Sequence, residues 1–441
     1  SWLGLVLAAA VAAYAVMVAI DWGSQWVAGF GLCGALAAPV LVDAGITLAT
    51  IAFVLVLATA VAGLWLRIGW GVLAAIGGAL SGLYLLALIL AAAAIDRDEV
   101  TLGWNDFWQS VLGAGLFWVL LAGVALAHHA RRGEEAQALT LKLTIGAGAL
   151  AIVGTGLMFH EGSAGWPLLA VAAAYALIAL ASRRIAHRGP LLTLTLAMIG
   201  LAAVLLATLD LLDGSSRATV LALQGGALAF VAARFGQVRV QIAAACYLSL
   251  ATVLCVGEAA PIRGLFGFPP EALRNGTGTA MDTGAMLGAI AAAMALALGV
   301  VALALAANRL EWGEPIGGIA RPTTVAAVVA ILYAVATAIV DTGLVLSFSR
   351  GAFQGAPAVV SIVWGLAALV ILVVGLRRNA ALARIGGLAL LGVTLAKLLL
   401  FDLSQLTALS RAVAFVVVGV LFVAGSLAYQ RLAVEPGQPE R

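Results

Sequence analysis

Charged residues are scarce in this sequence of 441 residues. Asp, Glu, Lys and Arg together make up 10% of the chain, whereas hydrophobic residues make up 64%. A soluble globular protein carries roughly 25% charged and about 45–50% apolar residues. The mean hydropathy of +1.14 is therefore that of an integral membrane protein. This composition excludes a disordered chain and a nucleic-acid-binding domain, so we expect membrane lipids and no nucleic acid among the partners.

Cysteine and histidine are also rare, with three and four residues in the whole chain. Cys33, Cys246 and Cys255 lie in apolar stretches without C-x-x-C spacing or a nearby His, so we interpret them as buried free thiols. Sequence motifs for nucleotide hydrolysis, serine hydrolysis and zinc proteolysis are missing. The sequence therefore predicts no metal and no cofactor, and it favours a non-enzymatic protein without excluding an enzyme.

Long apolar runs fill most of the sequence. At about 20 residues per span, they predict an all-α, polytopic transmembrane bundle of about fifteen spans, forming a single multi-pass domain over residues 1–441. The expected spans lie near 3–20, 26–42, 44–66, 68–95, 107–127, 138–159, 166–182, 190–209, 217–233, 238–257, 283–306, 322–340, 357–376, 381–401 and 411–430. The short connections leave no room for a soluble catalytic domain.

The charges are distributed unequally between alternate connections. One side holds 16 of the 23 basic residues, and the other holds 13 of the 20 acidic residues. By the positive-inside rule the basic side is cytoplasmic, which places residue 1 outside and the C-terminus inside. An outside start without Met or a basic leader is unusual. We therefore expect further residues to precede Ser1, with this chain as the membrane part of a longer protein.

Acidic residues recur at the outer ends of the helices that run outward. They are Asp43, Asp96, Glu161, Asp210, Glu258, Asp341 and Asp402. Basic clusters recur about every 50–75 residues, close to the length of a two-helix hairpin. The sequence thus indicates a bundle built from repeated helical hairpins.

Three outer turns share a tighter pattern, in which an Asp is followed seven or nine residues later by the Arg of a Ser-Arg pair. The pairs are Asp210 with Arg217, Asp341 with Arg350, and Asp402 with Arg411. In a structural interpretation the Ser caps the next helix and the Arg folds back on the preceding Asp. In a functional interpretation these ionisable groups line an outward-facing site or ion pathway. The two interpretations are compatible.

Lys397 lies inside a predicted span, five residues before Asp402. At the helical rise it is about 7.5 Å deeper in the membrane than that residue. One interpretation is that Lys397 snorkels toward the outer headgroups. The other is that it is an intramembrane cation, paired with Asp402 or with Asp341 of a neighbouring helix, which would mark a site.

His160 and Glu161 are weak candidates for catalysis. They end a helix at the outer face, where a His beside a carboxylate can serve as a general acid or base. No second His or Cys is close in sequence, so an interfacial, non-catalytic role is favoured.

The longest outer connection, 258–282, contains three prolines and two phenylalanines. We expect it to lie on the outer interface or dip into it rather than to form a solvated loop. In that position it could cover a cavity.

The C-terminal sequence also resembles a known family. The residues are Arg384-Ile-Gly-Gly-Leu, Lys397-x4-Asp402-Leu403, Leu406, Arg411 and Ala428-Tyr429-Gln430-Arg431. They resemble the end of the large bacterial family of predicted membrane proteins filed as domain of unknown function 2339. The stretches Gly31–Leu41 and Leu205–Arg234 are similar to it too, so the resemblance runs along nearly the whole chain.

This resemblance implies a many-helix bundle in the bacterial cytoplasmic membrane and brings no activity. It makes Lys397, Asp402 and Arg411 the first positions to consider. Our first hypothesis is a non-enzymatic protein that translocates an envelope lipid or glycan component, or that serves as a scaffold for membrane-protein partner subunits. The alternative is a membrane-embedded transferase or hydrolase for a lipid-linked substrate at the outer face, with His160 and Glu161 as acid and base. A proton- or ion-coupled pathway is weaker, because the spans carry almost no charge near their middle.

Overall fold

The structure is a computed structural model that describes residues 2–41, 47–94, 103–132, 137–159, 162–185, 190–266, 283–309, 320–346 and 350–402, and three isolated residues further on. Throughout these ranges the regular secondary structure is helical. The predicted all-α helical bundle is therefore confirmed.

Fourteen α-helices lie in the described part of the chain, one for each of the first fourteen predicted spans. They are α1 (Trp2–Asp21), α2 (Gln25–Leu41), α3 (Leu48–Ile68), α4 (Gly71–Ala94), α5 (Gly103–Arg132), α6 (Gln137–Met158), α7 (Gly165–Ile185), α8 (Pro190–Leu211), α9 (Gly214–Phe235), α10 (Val238–Leu254), α11 (Thr283–Arg309), α12 (Ala320–Leu346), α13 (Arg350–Arg377) and α14 (Ala381–Lys397).

Eleven of these helices, α3 to α13, are long and apolar enough to cross a membrane. The described residues thus contain 11 to 14 of the fifteen predicted spans. The apolar parts of α1 and α2 are shorter, and α14 has 17 residues. The predicted span 411–430 lies outside the described residues, apart from three single positions.

Helix ends follow from local capping. α3 begins after Thr47, whose hydroxyl oxygen accepts the N–H of Thr50 at 3.3 Å. It ends at Gly69, which takes a left-handed φ of +81° that suits glycine and donates its N–H to the carbonyl of Trp65. A short αL turn of this kind lets one apolar run stop and the next begin two residues later.

The chain divides into two compact units, Ser1–Leu211 and Leu212–Arg441. In the N-terminal unit, α7 packs along α8, and α3, α4, α5 and α6 share a core. This core consists of aliphatic side chains and of Phe107 and Phe117, which are almost fully buried. The aromatic rings fill the space between helices that alanine-rich faces leave open.

In the C-terminal unit, α11 is the central helix. It packs against α9, α10 and α12, and 61% of its span is buried inside the protein. Glycines allow this contact: a Cβ added to Gly226 of α9 would lie 3.1 Å from the Cα of Gly299 in α11. Small residues let helix backbones approach closely where lipid provides no hydrophobic driving force.

The antiparallel pair α13 and α14 forms a second close contact in the same unit. A Cβ added to Gly387 of α14 would lie 2.8 Å from the backbone N of Leu372 in α13. Further out along the same interface, Gly365 faces Thr394. This interface fixes the C-terminal end of α14, where Lys397 lies, against the N-terminal half of α13.

Candidate functional site

The Lys397 side chain is buried between α14 and α13, with 1% of its surface exposed. Its Nζ donates to the carbonyl oxygen of Pro357 at 2.8 Å and to the hydroxyl oxygen of Ser361 at 2.7 Å. Both acceptors belong to α13, one turn apart on the face that α14 packs against. The ammonium is therefore held within the bundle, against α13.

The backbone around Lys397 departs from regular α-helix on both partner helices. Pro357 lies inside α13, where its missing N–H removes one helical hydrogen bond. α14 continues after Lys397 as a π-helical turn, Leu398–Asp402. Single π turns in membrane and soluble helices are frequent at functional sites. The ammonium thus sits where two adjacent helices have locally altered hydrogen bonding.

Asp341 lies near the C-terminal end of α12, and only 8% of its surface is exposed. Thr337 and Tyr333 precede it by four and eight residues, so the three side chains share one face of the helix. Thr337 is buried, and Tyr333 is close enough to Thr337 and Asp341 to interact with both. Within the described residues the Oδ2 atom of Asp341 has no hydrogen-bond partner.

The beginning of the connection between α10 and α11 packs against α12. α10 ends in a π turn, Cys255–Ala259, and a short 3-10 helix follows at Ile262–Phe266. The Tyr333 hydroxyl donates to the carbonyl of Ala260, and Leu265 is buried against α12 and α13. The described part of the connection thus lies on the bundle, and residues 267–282 are outside the described part of the chain.

Asp341 and Lys397 lie at a similar level along α13. Antiparallel packing brings Gly343 of α12 against Ala356 of α13, and Val340 packs with Val360 in one buried cluster. Lys397 binds Pro357 and Ser361, the residues that flank this part of α13. Both side chains are buried, and they lie on two different helices that each pack against the N-terminal half of α13.

Asp210 has a different environment at the C-terminal end of α8. Its two carboxylate oxygens accept the backbone N–H groups of Gly162 at 3.0 Å and of Gly165 at 2.7 Å. Gly165 begins α7, so Asp210 caps the N-terminus of that helix. A carboxylate at this position satisfies free amides and complements the helix dipole.

Arg217 pairs with Asp213, its neighbour four residues earlier, at 2.9 Å, and its Nε donates to the carbonyl of Leu212. The predicted cap at Ser216 is wrong. Asp213 occupies the N-cap position of α9, and the hydroxyl of Ser216, already inside the first turn, donates to the Asp213 carbonyl at 2.6 Å. A Ser within a helix commonly bonds back to the preceding turn in this way.

Other predicted site residues can be placed only in part. Arg350 begins α13 and Asp402 ends the π turn of α14, but their side chains lie outside the described residues. His160, Glu161 and Arg411 lie outside them altogether.

The prediction of three buried thiols is wrong for two of them. Cys255 is buried, whereas Cys33 and Cys246 are exposed on the helix surfaces. A thiol is apolar enough to face lipid as readily as a core, so an apolar sequence context does not distinguish the two.

The sequence interpretation missed Ser361, Pro357 and Tyr333. Two signals could have identified them. Pro357 and Ser361 are spaced i, i+4 within an apolar run, as are Tyr333, Thr337 and Asp341 over eight residues. Polar residues at helical spacing in a span indicate a polar stripe. The partner helix of each stripe, however, could not be deduced from spacing.

A comparison with protein families finds a match. The sequence model of the family described as "Predicted membrane protein (DUF2339)" matches residues 285–432, which contain Asp341 and Lys397. The resemblance is confirmed over this C-terminal part, and the similar stretches near Gly31 and Leu205 lie outside it. No curated protein and no solved structure matches the chain. The family description and the apolar helices together identify a multi-pass membrane protein.

Proposed function

We propose that the protein is a non-enzymatic component of the bacterial cytoplasmic membrane that binds the polar head of an envelope lipid or glycan component at its outer face and translocates it. The observation that carries this proposal is the buried ammonium of Lys397. Ionisable side chains within membrane spans are costly, face protein or water rather than lipid, and typically mark substrate or ion pathways.

The direction of α14 determines which face is involved. With the C-terminus cytoplasmic, as the charge distribution predicts, α14 runs outward and Lys397 lies near its outer end. The Pro357 carbonyl and the Ser361 hydroxyl orient the ammonium. A cation held at this depth attracts a phosphate or carboxylate group, and a short charge-assisted hydrogen bond makes that attraction strong in a medium of low dielectric.

The alternative is that the protein is a scaffold for partner subunits and binds no ligand. The test below distinguishes the scaffold role from translocation. No described contact favours the hydrolase or transferase alternative, because His160 and Glu161 lie outside the described residues.

The test compares lipids that remain bound to the full chain. Wild type and Lys397→Gln would be purified from bacterial membranes in a mild detergent, and bound phospholipids would be measured by native mass spectrometry. Lys142→Gln is the matched control, because Lys142 is the other lysine of the chain and is exposed. Both variants lose one positive charge, and Gln retains donors for Pro357 and Ser361.

We expect Lys397→Gln to retain about tenfold less phospholipid than wild type and Lys142→Gln to match wild type, since losing one partner of a buried charge pair weakens binding by at least that factor. The same preparations, placed in vesicles of bacterial lipids, would be assayed for transfer of fluorescent phosphatidylglycerol between leaflets. Equal retention and equal transfer by all three proteins would reject the proposal in favour of a scaffold.

A further inference from the structure

Exposed arginines cluster at two hairpin turns of the C-terminal unit. In the α9–α10 turn, Arg234 lies in the last turn of α9 and Arg239 in the first turn of α10. In the α13–α14 turn, Arg377 ends α13, Arg378 follows it, and Arg384 is the fourth residue of α14. The first four of these side chains are exposed, and the last is half-buried. The stretches 232–242 and 375–385 contain no Asp or Glu, so each turn is locally basic.

The two turns lie at the same end of the C-terminal unit. α9 and α11 run parallel, because Ser215 lies against Gly288 and Gly226 lies against Gly299 further along both helices. α11 and α12 are antiparallel, as are α12 and α13. The C-terminal ends of α9 and α13 therefore face the same side of the membrane. The charge distribution predicts that this side is cytoplasmic.

Both turns have the same backbone structure. Gly236 and Asn379 take left-handed φ angles of +66° and +49°. In each turn the N–H of the next residue, Gln237 or Ala380, donates to the carbonyl oxygen five residues earlier, at 3.2 and 2.9 Å. This bond closes a Schellman motif, which ends one helix and reverses the chain within a few residues. The arginines before and after each turn are thus held near one another.

Helix stability explains only some of these arginines. Arg234 and Arg377 lie at helix C-termini, where a cation complements the helix dipole. Arg239 and Arg384 lie among the first four residues of α10 and α14, where the dipole disfavours a cation. Neither of these helices has an acidic residue in its first turn. Placing arginines on both sides of each turn therefore indicates that the turns bind an anion.

The α13–α14 turn has the highest local charge, with three arginines. A Cβ added to Gly375 would lie 2.7 Å from the backbone N of Arg384, so Arg384 begins against the last turn of α13. Arg377 and Arg378 end that same turn. Guanidinium groups bind phosphate oxygens through paired N–H donors, and several around one site recognise phosphate strongly.

Exposed apolar side chains beside the arginines favour a lipid over a soluble anion. Phe235 is 69% exposed in the α9–α10 turn, and Leu382 and Ile385 are 47% and 68% exposed at the start of α14. At the end of a membrane span, such side chains contact acyl chains while the adjacent arginines reach the headgroups. A soluble phosphate would leave these apolar surfaces uncovered.

We propose that the α9–α10 and α13–α14 turns each bind an anionic phospholipid, with its phosphate on the arginines and its acyl chains against the exposed apolar residues. Basic clusters next to membrane spans attract anionic headgroups in this way. The turns lie at the opposite end of α14 from Lys397, so this inference is independent of the proposed function.

The test titrates the full chain with cardiolipin, an anionic phospholipid. The protein would be purified in a mild detergent, freed of bound lipid by detergent exchange, and titrated while native mass spectrometry measures bound lipid. The thermal unfolding midpoint would be recorded in parallel, because a ligand that binds the folded state raises it. One variant combines Arg377→Gln and Arg378→Gln, and the other combines Arg234→Gln and Arg239→Gln.

The matched control combines Arg131→Gln and Arg132→Gln. These residues are also adjacent arginines at the end of a helix, α5, so the control loses the same charge as each test variant. Glu134 and Glu135 follow them in the sequence, however, so this connection is not locally basic. Phosphatidylethanolamine and inorganic phosphate, each titrated separately, distinguish an anionic lipid from a zwitterionic lipid and from a small anion.

We expect each test variant to bind cardiolipin about 25-fold more weakly at its own turn, since one arginine near an anionic lipid contributes about fivefold. The control should bind cardiolipin like the wild type. Without lipid, both test variants should keep the wild-type unfolding midpoint, because the replaced side chains are exposed. Phosphatidylethanolamine should raise the midpoint less than cardiolipin does.

Three outcomes would overturn the proposal. Equal cardiolipin binding by wild type and both test variants would show that the turns bind no lipid. An equal loss in the Arg131 and Arg132 control would show a general attraction to net charge rather than sites at the two turns. The same stabilisation by inorganic phosphate as by cardiolipin would identify a small-anion site.

Discussion

Asp210 and Asp341 occupy equivalent places in the sequence pattern, at the outer ends of α8 and α12, yet their environments differ. Asp210 is half-buried and uses both carboxylate oxygens to hold the amides that begin α7. Asp341 is buried, and its Oδ2 has no partner in the described part of the chain. The first carboxylate is a completed helix cap, and the second has an oxygen without a hydrogen-bond partner among the described residues.

This difference shows that a repeated outer aspartate has no single role. A carboxylate whose hydrogen bonds are complete stabilises the fold, whereas one that is buried and incomplete is a candidate for binding. The two basic residues Arg217 and Lys397 differ in burial in the same way. Arg217 pairs with Asp213 near the surface, and Lys397 is enclosed by α13 and α14.

Lys397→Ala tests whether the buried lysine stabilises the fold. Among these variants it should lower the stability most. It removes a long side chain that is 1% exposed and two hydrogen bonds to α13. We expect a loss of about 2–5 kcal/mol, the range for truncating a large buried side chain. The measurement is the thermal unfolding midpoint in one detergent, with Lys142→Ala as control. Equal midpoints for the two variants would show that Lys397 is not enclosed.

Gly387→Ala tests the helix contact that positions Lys397. The added Cβ would lie 2.8 Å from the Leu372 backbone N, so α14 must move away from α13. We expect a destabilisation of about 1–3 kcal/mol from overpacking. The adjacent Gly386→Ala is the control, because its Cβ would meet nothing within 4 Å. Alanine is favoured over glycine inside a helix, so this control should gain about 0.5–1 kcal/mol.

Asp210→Ala and Asp341→Asn would test the comparison directly. The first removes a helix cap and should cost about 1 kcal/mol, with faster hydrogen exchange at Gly162 and Gly165. The second removes a charge that lacks a complete set of partners, and the unfolding midpoint should stay equal or rise. A strong destabilisation by Asp341→Asn would mean that the carboxylate is as structural as that of Asp210.

Arg217→Ala should have the smallest effect. Its partner Asp213 is 96% exposed, and exposed ion pairs contribute about 0–1 kcal/mol. We therefore expect a change of the unfolding midpoint near the detection limit, further reduced by salt. A loss as large as that of Asp210→Ala would show that the outer turn before α9 is more rigid than its exposure indicates.

Much of the fold was predictable from hydrophobic runs alone, because a helix in lipid must satisfy its own backbone and needs a minimum apolar length. The boundaries of α3 and α9 follow from Thr47, Gly69 and Gly236, residues whose capping preferences are local. Whether Ser216 is the N-cap of α9 could not be predicted from local sequence in the same way. Asp213, three residues earlier, competes with it for the N-cap position, and the sequence does not decide between them.

The sequence predicted which residues belong to the candidate site but not which residues they contact. Lys397 and Asp341 stand out because ionisable groups are rare in these spans, and this is a property of composition. Their partners Pro357 and Ser361 come from another helix, and helix pairing depends on which small residues allow backbones to approach.

The sequence by itself thus determined the helical class, the approximate spans and the chemical type of the residues at the outer ends. The tertiary structure decided which of those polar side chains find hydrogen-bond partners on other helices and which do not. Asp210 meets the start of α7, Lys397 meets the outer turn of α13, and Asp341 retains an oxygen without a partner among the described residues. Hydrophobicity acts on each helix separately, but hydrogen bonds between helices depend on packing at ångström precision.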